Sequence, residues 1–168
     1  MPKIISPMVC FTITPNEYAC LASHLKARHT AYRNGDQYAI IAEDDAIITN
    51  DIDWNLLMST APADWDILQL HTCCIPPHLN RTSLSLHNSD EVLWVQTPSI
   101  IPSAAFYIVS RAGMYKALHR FIGEDFDKPW DQIKQLDLTP SSVSCHADIT
   151  LFDNMHRYIC TQSFVSTE

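Results

Sequence analysis

Apolar residues recur at helical spacing from Tyr18 onward, with Tyr18, Leu21, Ala22, Leu25 and Tyr32 falling on one stripe. Thr14-Pro15-Asn16-Glu17, just before that stripe, reads as a capping box: a Thr N-cap, proline at the first helical position and Glu three residues after the cap. Asn34-Gly35 closes the helix, and Gly35 suits the left-handed position beyond its end. Lys26, Arg28 and Arg33 read as the solvated face of this helix. The following run, Tyr38-Ala39-Ile40-Ile41-Ala42, shows no alternation and predicts a central strand covered on both faces.

Farther along, Asp51 or Asp53 is placed to cap a short helix through Trp54, Leu57 and Met58, stopped by Pro62. Asp66-Ile67-Leu68-Gln69-Leu70 predicts a second buried strand, and residues 71–90 lose all periodicity and predict a long loop. Strands are predicted over 92–96 and 104–109; Ser110 then caps a helix through Met114, Leu118 and Phe121 that Gly123 ends. Residues 124–144 predict an acidic loop, 148–158 a helix and 159–165 a last strand. Strands alternating with helices indicate one α/β domain spanning residues 1–168.

Composition narrows the partners. The chain is 46% hydrophobic and 18% charged, as a globular protein is, and no apolar run approaches the ~20 residues that span a bilayer. A formal charge of -8 excludes a nucleic-acid backbone as the main partner, because phosphate binding needs clustered Lys and Arg. An acidic protein still binds a diphosphate when a divalent cation supplies the positive charge. The start of the chain is a poor signal peptide, and six cysteines without a Cys-x-x-Cys fit reduced thiols, so a cytoplasmic location is expected. Asn80-Arg81-Thr82 fits a glycosylation triplet, which has no meaning without secretion.

The strand at 38–42 runs straight into Glu43-Asp44-Asp45. Three adjacent carboxylates repel one another and lose solvation near a core, and a hard cation such as Mg²⁺ or Mn²⁺ offsets both penalties. Read alone, the triplet fits either that site or a solvated turn that stops the strand. A phosphoryl-transfer enzyme would need a glycine-rich phosphate loop, and a chain with three glycines has none.

Taken with its neighbours, the triplet resembles a family pattern. Cys20-Leu21-Ala22-Ser23-His24 on the first helix, Ile40-Ile41-Ala42-Glu43-Asp44-Asp45, the Trp65-Asp66 strand and the segment Ser103-Ala104-Ala105-Phe106-Tyr107-Ile108-Val109-Ser110-Arg111-Ala112-Gly113 are similar, in this order, to glycosyltransferase family 25. His146-Ala147-Asp148 falls where that family has an Asp before its last helix. The resemblance covers nearly the whole chain. It departs from the family in one place: members usually carry a further nucleotide-binding segment before the Cys-x-x-Ser-His helix, where only about a dozen residues stand here.

The resemblance implies a GT-A-like, Rossmann-type α/β/α sandwich with a mixed, mainly parallel sheet. It also implies a nucleotide-diphosphate sugar donor, Mn²⁺ or Mg²⁺, a saccharide, glycolipid or glycoprotein acceptor, and inversion at the anomeric carbon. Asp45 is then the expected metal ligand, with His146 completing the shell, and Asp44 or Glu43 faces the donor ribose or sugar. Ser23 and His24 are expected near the donor, the competing reading being a buried polar pair that ties helix to sheet. Ala104 is small, which permits close approach of a sugar but equally eases helix–sheet packing. An inverting enzyme needs a general base, for which Asp148 is the candidate and Asp153 the substitute. The alternative is a module of the same fold that has lost catalysis and binds carbohydrate or a partner enzyme.

Overall fold

The computed structural model describes residues 13–48, 52–72, 94–96, 103–138, 150–161 and 164–167. The predicted loops over 73–90 and 139–144, with His146 and Asp148, lie outside the described residues.

The first helix, α1 (Pro15–Asn34), begins and ends as its caps dictate. The Thr14 hydroxyl accepts from the Glu17 amide at 3.3 Å, and the Thr14 amide donates to the Glu17 carboxylate at 2.7 Å. Gly35 takes φ 86° and donates to Tyr32 O, ending the helix. Its inward face differs from the apolar stripe. His24, Arg28 and His29 are buried with Leu21 and Leu25, while Tyr18 is 39% exposed. Arg28, expected in solvent, is fully buried.

Strand β1 (Tyr38–Ala42) has the predicted bounds. After it come β2 (Ala46–Ile48), α2 (Trp54–Ser59) with Asp53 as N-cap, β3 (Ile67–Gln69), β4 (Trp94–Gln96) and β5 (Phe106–Ser110). The helix α3 (Arg111–Ile122) is capped by Ser110, whose hydroxyl accepts from the Gly113 amide at 3.1 Å. Two 3₁₀ turns, Gly123–Asp127 and Trp130–Gln132, occupy part of the stretch predicted as loop. β6 (Arg157–Cys160) and β7 (Val165–Thr167) complete the described elements. Of the helix predicted over 148–158, only Thr150 is helical among the described residues: 151–154 form a turn, Asn154 takes a left-handed φ of 57°, and Arg157 and Tyr158 already belong to β6.

Five strands make one sheet in the order β1-β5-β3-β6-β4, and β2 pairs with β7 in a separate ribbon. Among the described strands only β3 and β6 run parallel; β1 with β5, β5 with β3 and β6 with β4 are antiparallel. The sheet is therefore mixed, as expected, but mostly antiparallel among the described residues. β1 lies at its edge rather than its centre. Alternation on β5 sets the layers: Tyr107 and Val109 enter the core under α1 and α3, whereas Phe106 and Ile108 enter a second core with Leu57 of α2. Fully burying each such large side chain contributes roughly 1.5–3 kcal/mol. On β1 only Ile41 is buried, and Ile40 remains 46% exposed.

Candidate functional site

The edge strand carries the acidic triplet to a place the helix overlooks. One hydrogen bond prolongs the β1–β5 pairing past Ala42, from the Glu43 amide to Ala105 O at 2.8 Å, and so fixes the backbone where the triplet begins. A cavity of about 460 Å³ opens between that point and α1. Cys20, Ser23 and His24 line it from the helix, and Glu43, Asp44 and Asp45 line it from the end of β1. Ala27 and Ala42 line it as well. Asp44 and Asp45 are exposed, and Glu43 is half-buried.

A chain of hydrogen bonds leads inward from Glu43. His24 Nε2 lies 3.2 Å from Glu43 Oε1, and His24 Nδ1 lies 3.0 Å from the Tyr107 hydroxyl. Arg28 Nε donates to the same hydroxyl at 3.2 Å. Burial pushes the Tyr107 phenol up, so it keeps its proton. With Arg28 supplying a proton to its oxygen, Tyr107 donates its own to Nδ1, and Nε2–H then donates to Glu43. For a neutral His24 the arrangement fits the Nε2–H tautomer, and it orients one oxygen of Glu43. Cys20 Sγ also reaches Glu43 Oε1, at 3.8 Å.

Arg28 anchors the inner end. Its Nη1 donates to Leu151 O at 3.0 Å, and its guanidinium lies over the rings of Tyr107 and Phe152, 5.1 and 5.6 Å from their centroids. Among the described residues Nη2 has no hydrogen-bond partner. A buried cation with an unmade bond is costly, and two aromatic faces offset part of that cost.

The other two motif segments meet elsewhere. Asp66 is 2% exposed, and its Oδ2 accepts from Lys116 Nζ and from the His156 amide. Its backbone oxygen accepts from the Ser110 amide at 2.9 Å. A Cβ on Gly113 would stand 2.5 Å from that same oxygen, so only glycine lets α3 pack this close to β3.

These four segments fall in the span that matches a family profile described as glycosyltransferase family 25 (LPS biosynthesis protein), over residues 6–132. The chain belongs to glycosyltransferase family 25. No curated protein matches it. Membership makes glycosyl transfer the class of chemistry to which this fold is fitted.

Within this family 25 chain, Ser23, His24, Glu43, Asp44 and Asp45 meet on one cavity. Ser23 is exposed and donates back to Ala19 O at 2.8 Å, while His24 does tie helix to sheet through Tyr107. Ala104 does not join them. At 1% exposure it packs in the core with Leu21 and Tyr107, so its small side chain serves packing and offers a sugar no surface. Asp153 is half-buried in the turn before β6, its amide 3.5 Å from Thr150 O. Sequence reasoning missed Arg28 and Tyr107 as parts of the site. Cys20, His24 and Arg28 do recur every four residues, which puts them on one helical face beside Leu21 and Leu25. That spacing was the available signal.

Among the described residues, no helix is long and apolar enough to cross a membrane.

Proposed function

We propose that this chain is a metal-dependent glycosyltransferase that moves a sugar from a nucleotide-diphosphate donor to a hydroxyl of a saccharide, glycolipid or glycoprotein acceptor, with inversion. The observation that carries this reading is the convergence of Glu43-Asp44-Asp45 with Ser23 and His24 on one cavity of about 460 Å³. Asp44 and Asp45 offer exposed carboxylate oxygens, the donor chemistry Mn²⁺ and Mg²⁺ prefer, so the residues fit a hard divalent cation. Asp45 would hold it, with His146 as a further ligand. When bound, such an ion would neutralise charge on a departing diphosphate.

The protein's own groups do the rest. Glu43, held by His24 through one oxygen, lines the cavity and would accept from donor hydroxyls. Ser23 offers a hydroxyl at the same wall. Asp148, or Asp153 in its place, takes the acceptor hydroxyl's proton as that oxygen attacks the anomeric carbon.

The test is a thermal-shift and donor-hydrolysis screen of nucleotide-diphosphate sugars with Mn²⁺. A true donor at saturation should stabilise the chain by roughly 2–3 kcal/mol and be hydrolysed slowly. Absence of both effects with every common donor would overturn the reading and leave a binding module of the same fold.

A further inference from the structure

The cavity wall holds a second set of ligand atoms, different in kind from Asp44 and Asp45. Cys20 and His24 stand at i and i+4 on α1 and project onto one face, where Glu43 meets them from β1. One thiol sulfur, one imidazole nitrogen and one carboxylate oxygen all lie within 4.8 Å of one another. The geometry points to a binding site for a borderline-soft divalent cation of the Zn²⁺ class, formed by Cys20 Sγ, His24 Nε2 and Glu43 Oε1, with its fourth position open to the cavity.

The separations support it. Ordinary zinc bond lengths set tetrahedral edges of about 3.3 Å between nitrogen and oxygen and about 3.5 Å between sulfur and oxygen. His24 Nε2 and Glu43 Oε1 are 3.2 Å apart, and Cys20 Sγ and Glu43 Oε1 are 3.8 Å apart. The atoms need shifts of only a few tenths of an ångström on those two edges. Cys20 is a reduced thiol and half-buried, so it is reachable from the cavity.

An outer support for the histidine is also in place. A metal on Nε2 requires the proton on Nδ1, and the Tyr107 oxygen, 3.0 Å away, has a second lone pair to accept it beside the Arg28 donor. Cation binding therefore switches His24 from the Nε2–H to the Nδ1–H tautomer, reverses the Tyr107–His24 hydrogen bond and releases the Cys20 thiol proton to solvent. A thiolate favours Zn²⁺ or Co²⁺ over Mn²⁺ and Mg²⁺, which separates this site from the one proposed at Asp45. The inference needs neither a sugar donor nor turnover, so its failure and that of the transferase reading are distinguishable.

Co²⁺ titrated into the reduced, chelator-treated full chain tests it. Tetrahedral thiolate coordination should appear as a ligand-to-metal charge-transfer absorption with intense visible bands, displaced by one equivalent of Zn²⁺ and not by excess Mg²⁺. Cys20→Ser should abolish the charge-transfer absorption, and Glu43→Gln should weaken Co²⁺ binding at least ~10-fold while still accepting from His24. Nitrogen chemical shifts of His24 should report the tautomer switch on Zn²⁺ addition in the unmutated protein, a readout independent of how the variants fold. No charge-transfer absorption in the unmutated chain, its survival in folded Cys20→Ser, or an unchanged His24 tautomer would overturn the inference.

Discussion

The segments that mark this chain as a family 25 protein divide between two regions of opposite character. At the β3–α3 junction, Asp66 is buried, Lys116 and the His156 amide hold its carboxylate, and Gly113 is pressed against its backbone oxygen. At the α1–β1 cavity, Asp44 and Asp45 stand exposed, and Glu43 is tethered by His24 and Cys20. Both regions are built from an acidic residue next to a strand and a partner on a helix. What differs is whether the carboxylate is spent inside the protein or left open. A motif residue closed off by its neighbours supports the fold; one left open on a cavity is available for a ligand.

The sharpest way to break this contrast is Asp45→Ala. It should weaken Mn²⁺ and donor binding by at least the ~10–100-fold that loss of a metal site's outer support costs, while the urea midpoint barely moves. A large loss of stability would put Asp45 in the class of Asp66. Gly113→Ala should do the reverse: the added methyl meets the Asp66 oxygen, and forcing it in should cost about 1–3 kcal/mol in urea unfolding, with ligand affinity of the folded protein unchanged. Stability equal to the parent chain would show that α3 can shift outward freely.

Tyr107→Phe joins the two kinds of effect. Removing the hydroxyl leaves Arg28 Nε without its partner and His24 Nδ1 without its donor, which should cost about 1–2 kcal/mol and free the ring of His24 to turn. Chemical denaturation and the His24 ring signals together check both parts. The smallest effect belongs to Asp64, beside the junction. The Tyr158 hydroxyl, then His156, hold its carboxyl below the ordinary 3.8. A carboxyl depressed in the folded state adds stability above its unfolded value and loses it as pH falls through the folded one. Asp64→Asn should therefore lower the melting temperature slightly at neutral pH and flatten its fall below about pH 4, where the parent chain loses the same contribution. An equal slope in both proteins would remove Asp64 from the acid response.

Much of this was legible along the chain. The caps Thr14, Gly35, Asp53 and Ser110 and the bounds of β1 follow from residues a few positions apart, because helix ends and turns are satisfied by near neighbours. The cavity-lining group of Ser23, His24 and the triplet was also accessible, through the order of the motifs. Arg28 was misplaced because charge predicts solvent unless something distant covers it, and its cover comes from Tyr107, Leu151 and Phe152. Ala104 left two readings open, because a small residue reads the same against a sugar as against a core, and its burial favours the core.

The sequence by itself determined where elements start and stop, which residues repeat on a helix face and which family the chain belongs to, since those signals rest on local spacing. Only the tertiary structure decided that β1 lies at a sheet edge, that its partner β5 runs antiparallel, and that Glu43, His24, Tyr107 and Arg28 form one hydrogen-bonded line. Strand pairing and buried polar contacts join residues tens of positions apart. No local propensity ranks those partners; they are chosen by which faces must be covered and which buried donors need an acceptor.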